Sequence, residues 1–168
     1  MSEAVTEHWS SRVEAVWADS SLDDAQVIAA IDALVAERPD GDARGAFEAA
    51  GARDSAGLEV EAESLYRRAL DAGLDEEHHP QAVIQLASTL RNLGRHAESV
   101  EMLDRQLSDD PDGPYADATA AFLALALVSA GHPRRATAVA LRALEPHLPR
   151  YHRSVRAYAD ELDVDPSR

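Results

Sequence analysis

The residues of this chain that are best suited to chemistry are two adjacent histidines that follow a run of acids. His78 and His79 come directly after Asp75-Glu76-Glu77, and imidazole and carboxylate groups both bind divalent metals. Two ligands on one helix usually stand three or four residues apart, because that spacing places them on one face. Neighbouring positions on a helix diverge by about 100°. A hydrolase or metal-dependent enzyme that uses His78 or His79 is therefore kept as an alternative hypothesis.

Several residue types are absent, and their absence narrows the possible chemistry. The sequence has no cysteine, and all 16 of its Lys or Arg positions are arginine. Disulfides, thiolate metal sites and thiol nucleophiles are excluded, as are Schiff-base lysines and phosphate loops that need Gly-Lys-Ser/Thr. His96-Ala97-Glu98 has the H-x-E spacing of zinc deaminases, but the other ligands of that site are cysteines. A Ser/His/Asp triad stays open, although no G-x-S-x-G elbow occurs.

Length and composition favour a helical protein. A chain of 168 residues suits one domain or a short array with a sizeable core. Hydrophobic residues make up 45% of the sequence and aromatic residues only 5%. Abundant alanine gives a high helix propensity, and no β-branched run of the kind that forms strands occurs. The composition therefore predicts an all-α fold.

Charge and hydropathy bound the partners and the location. The net charge of −15 argues against binding to a nucleic-acid backbone, which relies on clustered cations. The first 20 residues carry Glu3, Glu7 and Glu14 where a signal peptide is cationic and apolar. No run approaches the roughly 20 apolar residues of a membrane span. We expect a cytoplasmic protein that binds neither nucleic acid nor membrane and needs no cofactor.

The stretch Gln81–Leu107 predicts a helical hairpin. Its first half places apolar residues at the i, i+3, i+4, i+7 spacing of an amphipathic helix, and its second half repeats that spacing. Gly94 interrupts the pattern, since glycine readily takes the left-handed conformation that ends a helix. A turn this short makes the two helices antiparallel, with a shared apolar face.

The same periodicity predicts helices along the rest of the chain. We expect a capping box at Ser21-x-x-Asp24 before the second helix, and acids at Asp75-Glu76-Glu77 in the first turn of a later one. In the last helix, Tyr151, Val155, Tyr158 and Leu162 share one face. The expected helices are Ala4–Ala18, one ending before Pro39, Asp42–Asp54, Val60–Ala72, Tyr115–Ala130, one that follows Gly131 and ends at about Pro146, and Pro149–Leu162.

An internal repeat of 37 residues links these helices. Gly57, Gly94 and Gly131 recur at that spacing, and a fixed period of 20 to 50 residues is typical of helical arrays. Four further triplets in the same register span both helices of each unit, which generic amphipathic helices do not explain. They are Ala50, Ala87 and Ala124; Ala62, Ser99 and Ala136; Leu65, Met102 and Val139; and Leu70, Leu107 and Leu144.

This repeat resembles the tetratricopeptide repeat, in which W-x2-L-G-x2-Y is followed by a glycine turn and A-x3-F-x2-A. The first-helix tryptophan and tyrosine are missing, Arg53 replaces an apolar residue, and the period exceeds the usual 34. IQLASTLRNLG, FLALAL and LPRY-x-RS are similar to a group of small bacterial tetratricopeptide repeat proteins of unassigned activity. The matching positions are Ala46, Ala49, Ala50, Arg53, Gly57, Ala62, Tyr66 and Ala69; Val83, Leu86, Ala87, Leu90, Gly94, Ser99, Leu103, Gln106 and Pro111; and Ala120, Leu123, Ala124, Leu127, Gly131, Ala136, Ala140 and Ala143.

The resemblance implies a right-handed α-α superhelix that forms one compact domain. Residues 42–148 would supply three repeats of period 37. Residues 1–41 would form an N-terminal hairpin, which is a possible degenerate repeat, and residues 149–168 a capping helix and tail. Solenoids need such a cap with one polar face.

The resemblance also implies a non-catalytic scaffold that binds a protein or peptide on its concave face, because first helices line that face in such arrays. Arg91 and Asn92 offer a guanidinium and an amide to a carboxylate or a peptide backbone, although Asn92 as a helix cap explains it equally well. A structural homodimerisation module is a further alternative. The expected peptide-binding residues, to which the arginine-rich C-terminal end adds the last two, are Phe47, Asp54, Gln81, Ile84, Ser88, Arg91, Asn92, Leu125, Ser129, Tyr151 and Arg153.

Overall fold

The structure is a computed structural model that describes the backbone of residues 3–163 and the side chains of residues 7–163. Within that range all regular structure is helical, which confirms the predicted all-α class, and no helix there is long and apolar enough to cross a bilayer. The last five residues of the predicted tail lie outside the described part. The helices are α1 (Glu3–Ala18), α2 (Asp24–Val35), α3 (Ala43–Ser55), α4 (Glu59–Ala72), α5 (His78–Asn92), α6 (His96–Asp109), α7 (Ala116–Ser129), α8 (Pro133–Leu144), a short 3-10 helix (Glu145–His147) and α9 (His152–Asp163).

The chain divides into two compact units, Met1–Ala82 and Val83–Arg168. The division falls inside α5, whose first turn belongs to the first unit and whose remainder belongs to the second. The first unit holds α1 to α4, and the second holds α6 to α9. Each unit has its own hydrophobic core.

Each repeat turns at a glycine with a left-handed backbone. Gly57, Gly94 and Gly131 have φ angles of 72°, 80° and 85°, a region that is unfavourable for residues with a side chain. In all three turns the residue after the glycine donates its amide hydrogen to a carbonyl five residues earlier than itself, at 2.8–2.9 Å. This bond closes the helix C-terminus in a Schellman motif. The glycine register predicted from the sequence is thus confirmed in the backbone.

Small residues lie where the two helices of a repeat cross. Ala50 and Ala87 are buried on the first helices, and Ala62, Ser99 and Ala136 are buried at the matching positions of the second helices. Ser99 adds a polar contact, because its Oγ donates to the carbonyl of Ala87 at 2.6 Å. A side chain without bulk at these positions lets the helix backbones approach closely.

The third repeat buries a different position of its second helix. Tyr66 and Leu103 are buried, whereas the equivalent Ala140 is exposed and Ala138 is buried instead. Helix α8 packs against both α7 and α9.

Arg53 occupies an apolar position of the repeat because neighbouring helices supply carboxylates to it. Its guanidinium donates to both oxygens of Asp32 on α2 at 2.9 Å, and its Nε lies 3.4 Å from Glu61 on α4. The hydrogen bonds that Arg53 donates to Asp32 raise the pKa of Arg53. Charge pairing therefore replaces apolar packing where α3 contacts the N-terminal hairpin.

The N-terminal hairpin packs through a buried tryptophan. Trp9, Val13, Ile31 and Leu34 form a core cluster together with Ala52 of α3. The indole Nε1 of Trp9 donates to the carbonyl of Leu34 at 2.8 Å, which satisfies its only polar group. The hairpin is therefore joined to the first repeat by a shared apolar core.

The capping box of α2 lies two residues after the predicted position. Asp23 accepts a hydrogen bond from the amide of Gln26, and the side chain of Gln26 accepts one from the amide of Asp23, both at 2.9 Å. Ser21 does not cap the helix, because Asp19 accepts hydrogen bonds from both its hydroxyl and its amide. The prediction of Ser21 and Asp24 as the box was wrong, since a nearer carboxylate captures the serine.

The acids before α5 lie outside the helix, which corrects the prediction that they occupy its first turn. Helix α5 begins at His78. Asp75 accepts hydrogen bonds from the amides of Glu77 and His78 at 3.1 and 2.8 Å. A side chain that accepts from the first free amides acts as a helix cap, so Asp75 stabilises the start of α5 from the preceding turn.

Helix α9 packs in the second unit through an alanine, where the sequence predicted a tyrosine. Ala159 is fully buried, Val155 and Leu162 are half-buried, and Tyr158 is exposed. The predicted face is thus rotated toward Ala159. An alanine at this contact lets α9 approach α8 closely.

We expect Ala87→Leu to lower the free energy of unfolding by about 1–3 kcal/mol, because a larger side chain overpacks the crossing of α5 and α6. Thermal or urea unfolding measured by circular dichroism would test this. Ala97→Leu is the matched control, since Ala97 lies on the exposed face of α6. Alanine and leucine are both good helix formers, so helix propensity changes little in either variant. Equal stability of the two variants would contradict the close crossing.

Candidate functional site

In the first unit, the predicted binding residues are largely engaged by the protein itself. Phe47 is only 7% exposed, and its ring lies 6.2 Å from that of Tyr66 and 5.8 Å from that of His78, between centroids. Asp54 is half-buried and accepts a 3.4 Å hydrogen bond from Tyr66, whose pKa is raised by burial. Gln81 is half-buried and donates to the carbonyl of Glu77. These side chains leave little free surface for a ligand.

In the second unit, Arg91 and Asn92 lie at the C-terminal end of α5. Arg91 Nη2 donates to Asn92 Oδ1 at 3.2 Å, and the buried Nε of Arg91 has no hydrogen-bond partner among the described residues. Asn92 is exposed, and Gly94 supplies the left-handed residue of this helix end. Asn92 therefore does not serve as the left-handed cap, and its amide faces solvent beside the guanidinium.

The neighbouring positions on α5 are less accessible. Ile84 is buried and shares a core cluster with Leu123 and Leu127 of α7, while Ser88 is half-buried. Ile84 thus contributes to packing between α5 and α7 in the second unit. Ser88 keeps part of its surface.

Helix α7 exposes an apolar stripe. Leu125 and Val128 are 50% and 57% exposed, although the helix also buries Leu123 and Leu127. The hydroxyl of Ser129 donates back to the carbonyl of Leu125 at 3.1 Å. Val128 was not among the predicted residues, although it lies 37 residues after Arg91 and so occupies the same register position. The structure shows that it continues the exposed surface of Leu125.

The C-terminal end presents Tyr151 and Arg153 to solvent. Tyr151 is 72% exposed and has a φ of 73°, which is unusual for a residue with a side chain. Arg153 is exposed and, like Arg150, has no hydrogen-bond or ion-pair partner among the described residues. The other arginines of this region bind local groups: Arg134 the carbonyl of Glu161, Arg135 Asp104, Arg142 Asp160 and Asp163, and Arg156 Glu145.

A buried carboxylate holds this end together. Glu145 is buried and accepts hydrogen bonds from Arg156 at 2.6 Å and His152 at 3.0 Å. The hydrogen bond from Arg156 lowers the pKa of Glu145. The start of α9, which carries Tyr151 and Arg153, is therefore positioned by an ionised glutamate at the end of α8.

The two histidines considered for metal binding differ in environment. His78 is buried, its Nδ1 lies 2.6 Å from Asp75, and its Nε2 contacts the guanidinium of Arg44. Both ring nitrogens are engaged, so neither offers a free lone pair to a metal ion. His79 is exposed. In the described part of the chain no group of three His, Cys, Asp or Glu residues is arranged to hold a metal.

His78 belongs to a polar chain that sequence reasoning missed. Glu48 is 5% exposed and accepts hydrogen bonds from Trp17 Nε1 and Arg44, both at 2.9 Å. Arg44 in turn contacts His78. The i, i+4 spacing of Arg44 and Glu48 was a usable signal, but nothing in the sequence indicated Trp17, which lies on another helix.

One comparison with known proteins identifies a similarity. The family model described as Tetratrico peptide repeat matches residues 43–162 of the chain, a range that begins with α3 and ends in α9. Comparison with curated proteins gives no match.

We expect the stability difference between wild type and Glu145→Gln to depend on pH. The folded pKa of Glu145 lies below its unfolded value, so its contribution is complete above about pH 4.3 and is lost as the pH falls through the folded pKa. Melting temperatures measured from pH 7 to pH 3 should show wild type more stable at pH 7 and the difference shrinking at the acid end.

Glu101→Gln is the matched control, because Glu101 forms an exposed ion pair with Arg105 and such pairs contribute little. Its melting temperature should follow wild type closely across the range. A difference between wild type and Glu145→Gln that stays constant to pH 3 would contradict the assignment.

Proposed function

Because the chain belongs to the tetratricopeptide repeat family, we propose that it is a non-catalytic scaffold that binds a protein or peptide segment. The family suggests a role in protein interaction. The binding surface that we propose is the concave face implied by the repeat, and the argument for it rests on α5 and α7 of the second unit.

The observation that carries this proposal is the exposed apolar stripe of α7. Leu125 and Val128 lie one helical turn apart and each leaves half or more of its surface exposed, and covering apolar surface is favourable. Both residues lie on the first helix of a repeat, the helix type that lines the inner face of a solenoid.

Arg91 and Asn92 supply the polar part of the proposed surface. The guanidinium of Arg91 retains donors beyond the one that binds Asn92, and no acceptor among the described residues binds its buried Nε. Such a group forms strong hydrogen bonds with a carboxylate. We therefore expect the ligand to combine an apolar side chain with a carboxylate or an exposed backbone carbonyl.

Tyr151 and Arg153 extend the proposal to the start of α9. Both are exposed, and the ion pair of Glu145 with Arg156 fixes the helix behind them. Phe47, Asp54 and Gln81 fit the proposal less well, because they contact other groups of the first unit. Ile84 packs in the core beneath α5 and α7 and does not form part of the exposed surface.

We expect Arg91→Ala/Asn92→Ala to lose the partner in a pull-down from a lysate of the source organism, analysed by quantitative mass spectrometry. Arg105→Ala/Gln106→Ala is the matched control: it removes the same charge and one amide from α6, where Glu101, which is exposed, is the one ion-pair partner of Arg105 among the described residues. The control should retain the partner.

Retention of every captured protein by both double variants would contradict the proposed surface.

Light scattering over a range of concentrations distinguishes the proposed scaffold from the homodimerisation module. A scaffold that binds another protein stays near 18.1 kDa, whereas a homodimerisation module doubles its mass and loses the second copy when Leu125 and Val128 are replaced by serine.

We expect no stoichiometric heat when Zn²⁺ is titrated into the protein in a calorimeter, because both ring nitrogens of His78 are engaged and the described residues contain no group of three ligands that could hold a metal with His79. His79→Ala serves as a control for weak surface binding. One-to-one binding that disappears in His78→Ala would favour the metal-dependent enzyme instead.

A further inference from the structure

The second unit contains a cleft that none of the predicted peptide-binding residues lines. It has a volume of about 450 Å³ and lies between the loop before α7, the first turns of α7, the end of α8 and the 3-10 helix. We call it the α7–α8 cleft. Its volume falls within the roughly 300–1,000 Å³ of small-molecule sites.

The floor of the α7–α8 cleft is apolar and made of small side chains. Leu107, Ala120, Val139 and Ala143 line it, and all four are buried or half-buried. Three of the four are alanine or valine, so the space that a larger residue would fill stays open. Such a floor favours the apolar part of a ligand.

The rim of the cleft is acidic. Asp112 and Asp117 are exposed at its edge. The carboxylate of Asp117 binds His147 across the cleft through Oδ2 at 2.9 Å, and no hydrogen bond occupies its Oδ1 among the described residues. One oxygen of Asp117 and the whole carboxylate of Asp112 can therefore accept hydrogen bonds from a ligand.

The cation at the rim does not offset these acids. Arg142 lines the cleft, but its guanidinium is bound by Asp163 at 2.8 Å and by Asp160 at 3.0 Å, both on α9. These hydrogen bonds raise the pKa of Arg142. Its charge is thus matched by two carboxylates, and the remaining field at the rim is negative.

One of the two helix ends at the cleft agrees with that sign. Helix α8 ends in one wall, where the partial negative charge of a helix C-terminus favours cations. Helix α7 begins in the other wall, and Asp117 in its first turn already supplies the anion that an N-terminus favours. The net charge of −15 attracts cations to the molecule as a whole.

We propose that the α7–α8 cleft binds a small molecule with an apolar body and a positively charged amine. The apolar body contacts Ala120, Val139 and Ala143, and the ammonium donates to Asp112 and Asp117. This site lies outside the proposed peptide surface and does not depend on it.

The test is a fluorescence titration with dansylcadaverine, which joins an aromatic ring system to a primary ammonium. Anilinonaphthalene sulfonate, of similar size but anionic, is the reference probe. Wild type should bind one dansylcadaverine and bind the sulfonate at least tenfold more weakly. Asp112→Asn/Asp117→Asn should weaken binding of the amine by about five- to tenfold, because two exposed ion pairs are lost.

Ala143→Leu tests the floor, since its side chain fills the cleft, and it should weaken the amine by at least tenfold. Ala97→Leu, on the exposed face of α6, and Arg91→Ala/Asn92→Ala, on the proposed peptide surface, should bind like wild type. Melting temperatures establish that each variant is folded. The double Asp variant alters only exposed side chains, so it remains informative if Ala143→Leu unfolds.

Three results would overturn the proposal. The first is that the amine does not bind at concentrations up to about 1 mM, which corresponds to only weak binding. The others are equal affinities for the amine and the sulfonate, or an unchanged affinity for the amine in the double Asp variant. Loss of binding in Arg91→Ala/Asn92→Ala alone would place the amine on the peptide surface instead.

Discussion

Helix hairpins of this kind depend on how their first helix ends. At Gly57, Gly94 and Gly131 a left-handed backbone lets the following amide reach the carbonyl five residues earlier, which satisfies carbonyls that a helix otherwise leaves unpaired. The chain then enters the second helix at once. Every contact within a repeat, from the Ala87 crossing to the burial of Tyr66, requires this turn to bring the two helices back against each other.

Small residues have two roles in this protein. Alanine and serine fill the contacts between the helices of a repeat, where they let the backbones approach closely. Ala120 and Ala143 line the α7–α8 cleft, where a larger side chain would occupy its space. The proposed peptide surface has a different origin, because its apolar part consists of the exposed Leu125 and Val128.

Ion pairs distribute the charge of an acidic protein in a defined way. Arg53, Arg142 and Arg156 each bind carboxylates on other helices or at helix ends, so their charges join elements rather than remain available to partners. Arg91 and Arg153 differ, because no carboxylate of the described residues binds them. This separates the arginines that hold the fold together from those that a ligand can reach, and it explains why the excess of arginine after Gly131 overstates the free positive charge there.

The sequence alone determined the helical class, the 37-residue register and the turn positions, because glycine conformation and apolar spacing are local properties of the chain. It also indicated Arg91 and Leu125 through that register. Tertiary structure decided the rest. Phe47 and Ile84 occupy register positions expected to face a ligand, yet neighbouring helices bury them. The contact between Asp117 and His147 joins residues 30 positions apart, and Glu48 meets Trp17 across two helices. Such contacts depend on how helices pack side by side, and no local pattern encodes that packing.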